Sequence, residues 1–300
     1  MTRFDAVVIG GSGEVGRMIA SLLAADGDSV LTVDPAAPSA VRPGIEHLVG
    51  DIVCPDLEVR AVLRATPLVV LAVPESVALA TELSFLHEQS LLVETLSVKS
   101  AFAQKVDDAD SSGSILGINP MFAPSLGMDG RPVAAVVHRD GGAVEGFLGR
   151  ISDWGGRVVH VDAEQHDRLA AATQALTHAT VLAFGSALAK LEVDPKLIAS
   201  LAPPPATTLL ALVDRVAGGE PEVYWDVQSG NPYAGRARSA LTESLRELNE
   251  IVASESESET AFTSFMTRAG AAVPNHAQYQ ALCAQLFGIV RGTAPEGDRS

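Results

Sequence analysis

Short apolar runs alternate with amphipathic stretches through the first half of the chain. Val7 to Ile9, Val30 to Val33, Ile45 to Val49, Leu68 to Val73, Leu91 to Thr95 and Ser114 to Ile118 have strand length and many β-branched residues. The run Leu68-Val69-Val70-Leu71-Ala72-Val73 has no polar position, the pattern of a strand buried on both faces of a parallel sheet. Between these runs, Met18, Ile19, Leu22 and Leu23 recur at helical spacing. Leu57 to Leu63 reads as a short helix, and Ser76 is placed to cap one running to about His87. Val133 to Val137 and Arg157 to Val161 predict two late strands flanking a helix from about Gly142 to Trp154. Strands separated by helices imply βαβ units with right-handed crossovers.

The pattern changes after Asp162. Ala163 to Leu191 contains no breaker except Gly185 and predicts one long, alanine-rich helix. Pro203-Pro204-Pro205 stops any helix before it. Thr207 to Val216, Ala237 to Ala253 and Gln278 to Val290 read as further helices, and Ser254 to Glu259 as a solvated helix end or loop. The stretch Leu169 to Leu188 is so weakly polar that it needs a partner surface, so a homodimer through the helical half is expected.

The first strand runs into Gly11-Ser12-Gly13-Glu14-Val15-Gly16 and then a helix. In a dinucleotide-binding turn, such glycines serve the tight turn, close approach to a pyrophosphate, and helix-on-strand packing. The unpaired N–H groups of the helix start favour an anion there. With Glu14 in the loop and no basic side chain, the backbone is expected to do the binding. Asp34 ends the second strand about 20 residues on, where an acid accepts the hydroxyls of an adenosine ribose and repels a 2′-phosphate. The expected cofactor is NAD, with Val73 and Pro74 on the same side. The alternative is a mononucleotide or purely structural βαβ turn. The fold reading is therefore α/β, with a Rossmann-type dinucleotide-binding domain over 1–162. An all-α substrate-binding and dimerisation domain is expected over 163–291, and a flexible tail over 292–300.

Composition narrows the partners. A net charge of −16 over 300 residues argues against nucleic acid, which needs clustered cations. Any anionic substrate must be gripped by a few placed cations. No apolar run approaches membrane-spanning length, and no metal spacing surrounds Cys54, Cys283 or His87. The early first strand leaves no room for a signal peptide, so a cytoplasmic location is expected.

The stretch Gly117-Ile118-Asn119-Pro120-Met121-Phe122-Ala123-Pro124 resembles the G-x-H-P-M-F-G-P loop of the prephenate and arogenate dehydrogenase family. Further stretches fit at matching spacing: Leu96-Ser97-Val98-Lys99, Trp154 to Arg157, Glu164-Gln165-His166-Asp167, Gln174-Ala175-Leu176-Thr177-His178, Leu210 to Arg215 and Tyr224-Trp225-Asp226. The resemblance spans about residues 5 to 250. It implies NAD-dependent oxidative decarboxylation of a cyclohexadiene dicarboxylate, with a site in the cleft between domains. Some members of that family carry a fused mutase or regulatory domain; at 300 residues neither is expected here.

In that family the loop histidine accepts the proton of a 4-hydroxyl group as hydride leaves. This chain carries Asn119 there, and a carboxamide is no base; general acid–base work is worth about 10²–10⁴-fold. A substrate with an amino group at C4 needs no base in the hydride step, because the nitrogen lone pair expels hydride to give a protonated imine. Asn119 can accept from that nitrogen through its side-chain oxygen. The favoured reading resembles the 4-amino-4-deoxyprephenate dehydrogenases. Prephenate or arogenate remains the alternative, and a non-catalytic NAD-binding sensor the rival of another class. A 3-hydroxyacid-type dehydrogenase ranks last, because Lys190 is poorly placed.

The resemblance gives the other residues their candidate roles. Ser97, at a strand's carboxyl end, is expected beside the nicotinamide and the C4 substituent. His178, one turn after Gln174, is a candidate donor to a carboxylate, or else a structural histidine. Arg215 is the candidate clamp for the side-chain carboxylate, or a helix-surface cation. Lys99 is expected either to neutralise substrate or to be an exposed loop charge. His166 is expected to cap or pack the domain junction, and Trp225 to line the pocket or the core.

Overall fold

The computed structural model describes residues 4–37, 42–254 and 258–290. The expected tail and part of the serine–glutamate run lie outside the described residues. The first half comprises β1 (Ala6–Ile9), α1 (Glu14–Ala25), β2 (Val30–Asp34), β3 (Ile45–Val49), α2 (Leu57–Ala65), β4 (Leu68–Leu71), α3 (Glu75–Ala80) and β5 (Leu91–Glu94). It continues with α4 (Ser100–Asp107), β6 (Ser114–Pro120), β7 (Pro132–Arg139), α5 (Val144–Asp153) and β8 (Arg157–His160). These strands make one eight-stranded sheet in the order β3-β2-β1-β4-β5-β6-β7-β8. Every neighbouring pair is parallel except the antiparallel β6–β7 pair.

Successive residues of a strand point to opposite faces, and both faces here are covered. Val8, Val70, Val93 and Leu116 enter one core with Ile19, Leu23 and Phe147. Their neighbours Val7, Val69, Leu92 and Ile115 enter the other with Phe102. Each such burial contributes about 1.5–3 kcal/mol, which is why the all-apolar runs become central strands. The strand order reverses on either side of β1, so the loops after β1, β2, β4, β5 and β6 gather at one edge of the sheet, the place where doubly wound sheets bind ligands.

Two elements depart from the sequence expectation. The helix expected from Ser76 to His87 ends at Ala80, where Thr81 takes extended backbone and its hydroxyl donates to the Val77 carbonyl. Leu83 and Leu86 then enter the core from irregular chain, a burial that helical geometry does not provide. The long helix is interrupted: α6 (Ala163–Ala170) and α7 (Leu176–Lys190) are separated by a π-helical turn at Ala171–Ala175, a feature frequent at functional sites.

The helical half continues with α8 (Pro195–Leu201), α9 (Pro204–Ala217), α10 (Pro221–Trp225), a second π-helical turn (Asp226–Gly230), α11 (Ala234–Ala253), α12 (Ser258–Ala271) and α13 (His276–Ile289). Helix α12 begins inside the stretch expected to be a helix end or loop. By packing, the chain divides into two units, Met1–Ala170 with Trp225–Pro232, and Ala171–Tyr224 with Tyr233–Ser300. The first unit therefore extends beyond residue 162. The reason is local: α6 packs on α4, Asp167 binds that helix's first N–H groups, and Asn231 donates to the Asp167 carbonyl. In the second unit α7 packs on α9 and α11. Gly185 permits the close approach to α9, since a Cβ there would lie 2.8 Å from Val213. Among the described residues, no helix is long and apolar enough to cross a membrane.

Candidate active site

The glycine loop after β1 has no room for a side chain at Gly10, Gly11 or Gly16; on Gly11 a Cβ would strike Thr32 Cγ2. Gly10 has φ +80°, and a Cβ on it would land on the Ala72 carbonyl oxygen; one on Gly16 would strike the Gly10 carbonyl. Gly13 is the N-cap of α1 and supplies no side-chain cap, so the helix start is open to an anion. Asp34 is nearly buried, and both its carboxylate oxygens accept from the Ser12 N–H at 3.2 Å. The expectation of a loop without cations needs correction. Arg17, one helical turn on, folds back so that its guanidinium donates to the Ser12 carbonyl at 2.7 Å. Arg42, outside every motif read from the sequence, feels burial, the Arg17 charge and the opposing Asp34 charge, and its pKa is lowered.

Val73 touches the glycine turn, with its Cγ1 3.1 Å from a Cβ built on Gly10, and Pro74 caps α3. Glu75, the first residue of α3, is a feature that no motif flagged. Burial first, and then Asp226, Asp167 and Glu94, raise its carboxyl above the ordinary range.

Ser97 is half-buried just beyond β5. Lys99 does not serve as either sequence expectation had it. It is fully buried, and its ammonium donates to both oxygens of Glu94 (2.9 and 2.7 Å) and to the Ile118 carbonyl (2.8 Å). With its three donors spent, it holds β5 to β6 and has none left for substrate. His138 Nε2 lies 2.9 Å from the same carboxylate. Burial would raise the Glu94 carboxyl, but the Lys99 ammonium and His138 hold it below the ordinary range. Gly117 leaves the space, since a Cβ there would strike Glu94.

Asn119 lies at the carboxyl end of β6, on the face opposite Ile118, and is 3% exposed. Its Nδ2 is 3.1 Å from His166 Nε2, and His166 Nδ1 is 2.8 Å from Asp167 Oδ1. Asp167 also accepts from the N–H groups of Lys99 and Ser100 at 2.8 and 2.9 Å. Burial opposes the charge on Asp167, but the bonds from His166, Ser100 and Lys99 prevail and lower its pKa. His166 is therefore a direct partner of Asn119, a role that sequence spacing did not reveal.

Gln174 and His178 belong to the second unit. Gln174 Oε1 and His178 Nδ1 are buried and find no hydrogen-bond partner among the described residues. Burial, and next the nearby Arg215, lower the His178 pKa, so the ring is neutral at pH 7. Tyr224 packs edge-on against it with ring centroids 4.8 Å apart. Trp225, expected at the pocket or in the core, is 69% exposed. The aromatic that meets His178 is its neighbour Tyr224. Among the described residues, no cluster of three or more His, Cys, Asp or Glu could hold a metal ion.

Residues 162–268 match the family described as prephenate dehydrogenase, dimerization domain. A relative from Streptomyces pristinaespiralis, named 4-amino-4-deoxyprephenate dehydrogenase, is 44% identical over 94% of this chain and 95% of its own. The T-protein of Enterobacter agglomerans is 31% identical over 74% of this chain and 55% of its own. The fold is also that of Aquifex aeolicus prephenate dehydrogenase, solved with hydroxyphenyl propionate and NAD+. That structure superposes with a TM-score of 0.67 at 18% identity, over 90% of this chain and 98% of that one. With the first of these relatives aligned over nearly the whole of both sequences, the chain belongs to the prephenate dehydrogenase family.

Proposed function

We propose that this protein catalyses the NAD-dependent oxidative decarboxylation of 4-amino-4-deoxyprephenate to 4-aminophenylpyruvate. The observation that carries the reading is Asn119, a buried group that cannot ionise, where a 4-hydroxyl substrate would require a base. NAD, when bound, accepts the hydride from C4. The cradle at Gly10 and Gly16 and the open start of α1 suit its pyrophosphate, and Asp34 suits its ribose. Asn119 holds the C4 nitrogen through its side-chain oxygen, and Ser97 stands at the same sheet edge. The unpartnered atoms of Gln174 and His178, with Arg215 in the same unit, support a carboxylate-binding role for these three. His178 then acts as a neutral hydrogen-bonding group, and Arg215 supplies the charge.

The test is NADH formation with 4-amino-4-deoxyprephenate, prephenate and arogenate, compared by kcat/KM. The amino substrate is expected to win by more than about tenfold, near 1.4 kcal/mol. Faster turnover of prephenate or arogenate overturns the reading.

The second unit is proposed to dimerise. Its own packing leaves Leu182, Leu191, Leu201, Met266 and Ile289 between 41% and 81% exposed, apolar side chains that a partner subunit would cover. Light scattering is expected to give twice the mass of one chain. A monomer at micromolar concentration sinks this assignment.

A further inference from the structure

The buried row Asp167–His166–Asn119 has a direction. Asp167 is held ionised by the N–H groups of Lys99 and Ser100, so it is an acceptor only. The atom 2.8 Å from it, His166 Nδ1, must therefore carry a proton. The atom 3.1 Å from Nε2 is Asn119 Nδ2, an amide nitrogen that has protons to give and no lone pair to offer, so Nε2 is the acceptor. The amide oxygen is thereby turned away from His166, and among the described residues Oδ1 accepts no other hydrogen bond.

We propose that Asp167 and His166 are positioning residues that fix the Asn119 amide with its oxygen free for the substrate, and so set selectivity for nitrogen at C4. The proposal rests on the reading above that the substrate is an amine. The substrate reacts as the free amine, its ammonium proton released to solvent beforehand. As the C4–H bond breaks and its electron pair leaves as hydride to NAD, the nitrogen lone pair forms the C=N bond. The N–H groups gain positive character. An outward oxygen accepts from them and leaves the lone pair free, so it stabilises the charge that develops. An outward NH2 would instead donate to that lone pair and oppose its release. A 4-hydroxyl substrate gains much less, because neither end of the amide removes its proton.

The first measurement is a 15N spectrum of His166 in the full-length protein, assigned by its loss in His166→Gln. It is expected to show a protonated Nδ1 and a bare Nε2. A protonated Nε2 overturns the relay whatever the substrate proves to be. The second is Asp167→Asn, which frees the ring to adopt the other tautomer, so that Asn119 turns its NH2 outward. The expected result is a loss of at least about tenfold in kcat/KM for 4-amino-4-deoxyprephenate and a smaller loss for prephenate, with NAD affinity retained. Equal losses on both substrates overturn the selectivity role. Should Asp167→Asn fail to fold, the wild-type spectrum still decides the relay. A bare Nε2 alongside faster wild-type turnover of prephenate would leave the relay standing and remove the amine reading instead.

Discussion

Asn119→His raises kcat/KM for prephenate by about 10²-fold, the lower end of what a positioned general base contributes. It also lowers the preference for the amino substrate by at least that factor. The surroundings suit the change. His166 Nε2, 3.1 Å from Asn119 Nδ2, would accept one ring N–H of the new imidazole and leave its other nitrogen as the base. The sign of the pH dependence follows: the base works only when unprotonated, so prephenate turnover by the variant falls as pH drops below about 6.5, the ordinary histidine value. Steady-state rates from pH 5 to 9 check it. If prephenate turnover stays at the wild-type level, or rises without the acid limb, then Asn119 does not occupy the base position.

Lys99→Met lowers the stability of the sheet-containing unit without changing substrate affinity. Removing one partner of a buried ion pair costs about 3–5 kcal/mol, which lowers Tm by roughly 6–20 °C in a domain of this size. The methionine keeps the apolar stem but leaves Glu94 buried with, among the described residues, His138 and the Leu96 N–H as its remaining partners. Because the folded Glu94 carboxyl is held below its ordinary range, its contribution is complete above about pH 4.3, the unfolded glutamate value. That contribution is lost as pH falls through the folded value. The Tm gap between wild type and variant is therefore widest at neutral pH and closes in acid. Thermal unfolding at several pH values, with KM for the substrate, tests this. An unchanged Tm with a raised KM would return Lys99 to the substrate site.

Both experiments bear on residues whose identity was visible in the sequence but whose partners were not. Asn119 stands out because it breaks a loop that is otherwise well matched, and that departure is legible without coordinates. Lys99 looked like a loop cation because it follows a strand end. It proved buried because Glu94, five residues back, offers two oxygens and Ile118 a third. The same limit applies to Trp225 and Tyr224: both are aromatic and adjacent, and only helix packing decides which one meets His178.

The chain's own pattern determined the strands, most helices, the glycine turn and Asp34. Those features depend on side-chain period and on steric room between residues near one another in sequence, and these are written locally. Tertiary structure alone decided where α3 stops, where the first unit ends, that Arg17 and Arg42 sit near Asp34, and that Asp167, His166 and Asn119 form one oriented row. Each of these is a choice of partner made by a buried polar group or a packed side chain. Desolvation makes an unpaired choice costly, and the partner can lie far along the chain, 68 residues in the case of Asp167 and Lys99. Periodicity cannot carry that information, because it describes which face a residue occupies and not what waits there.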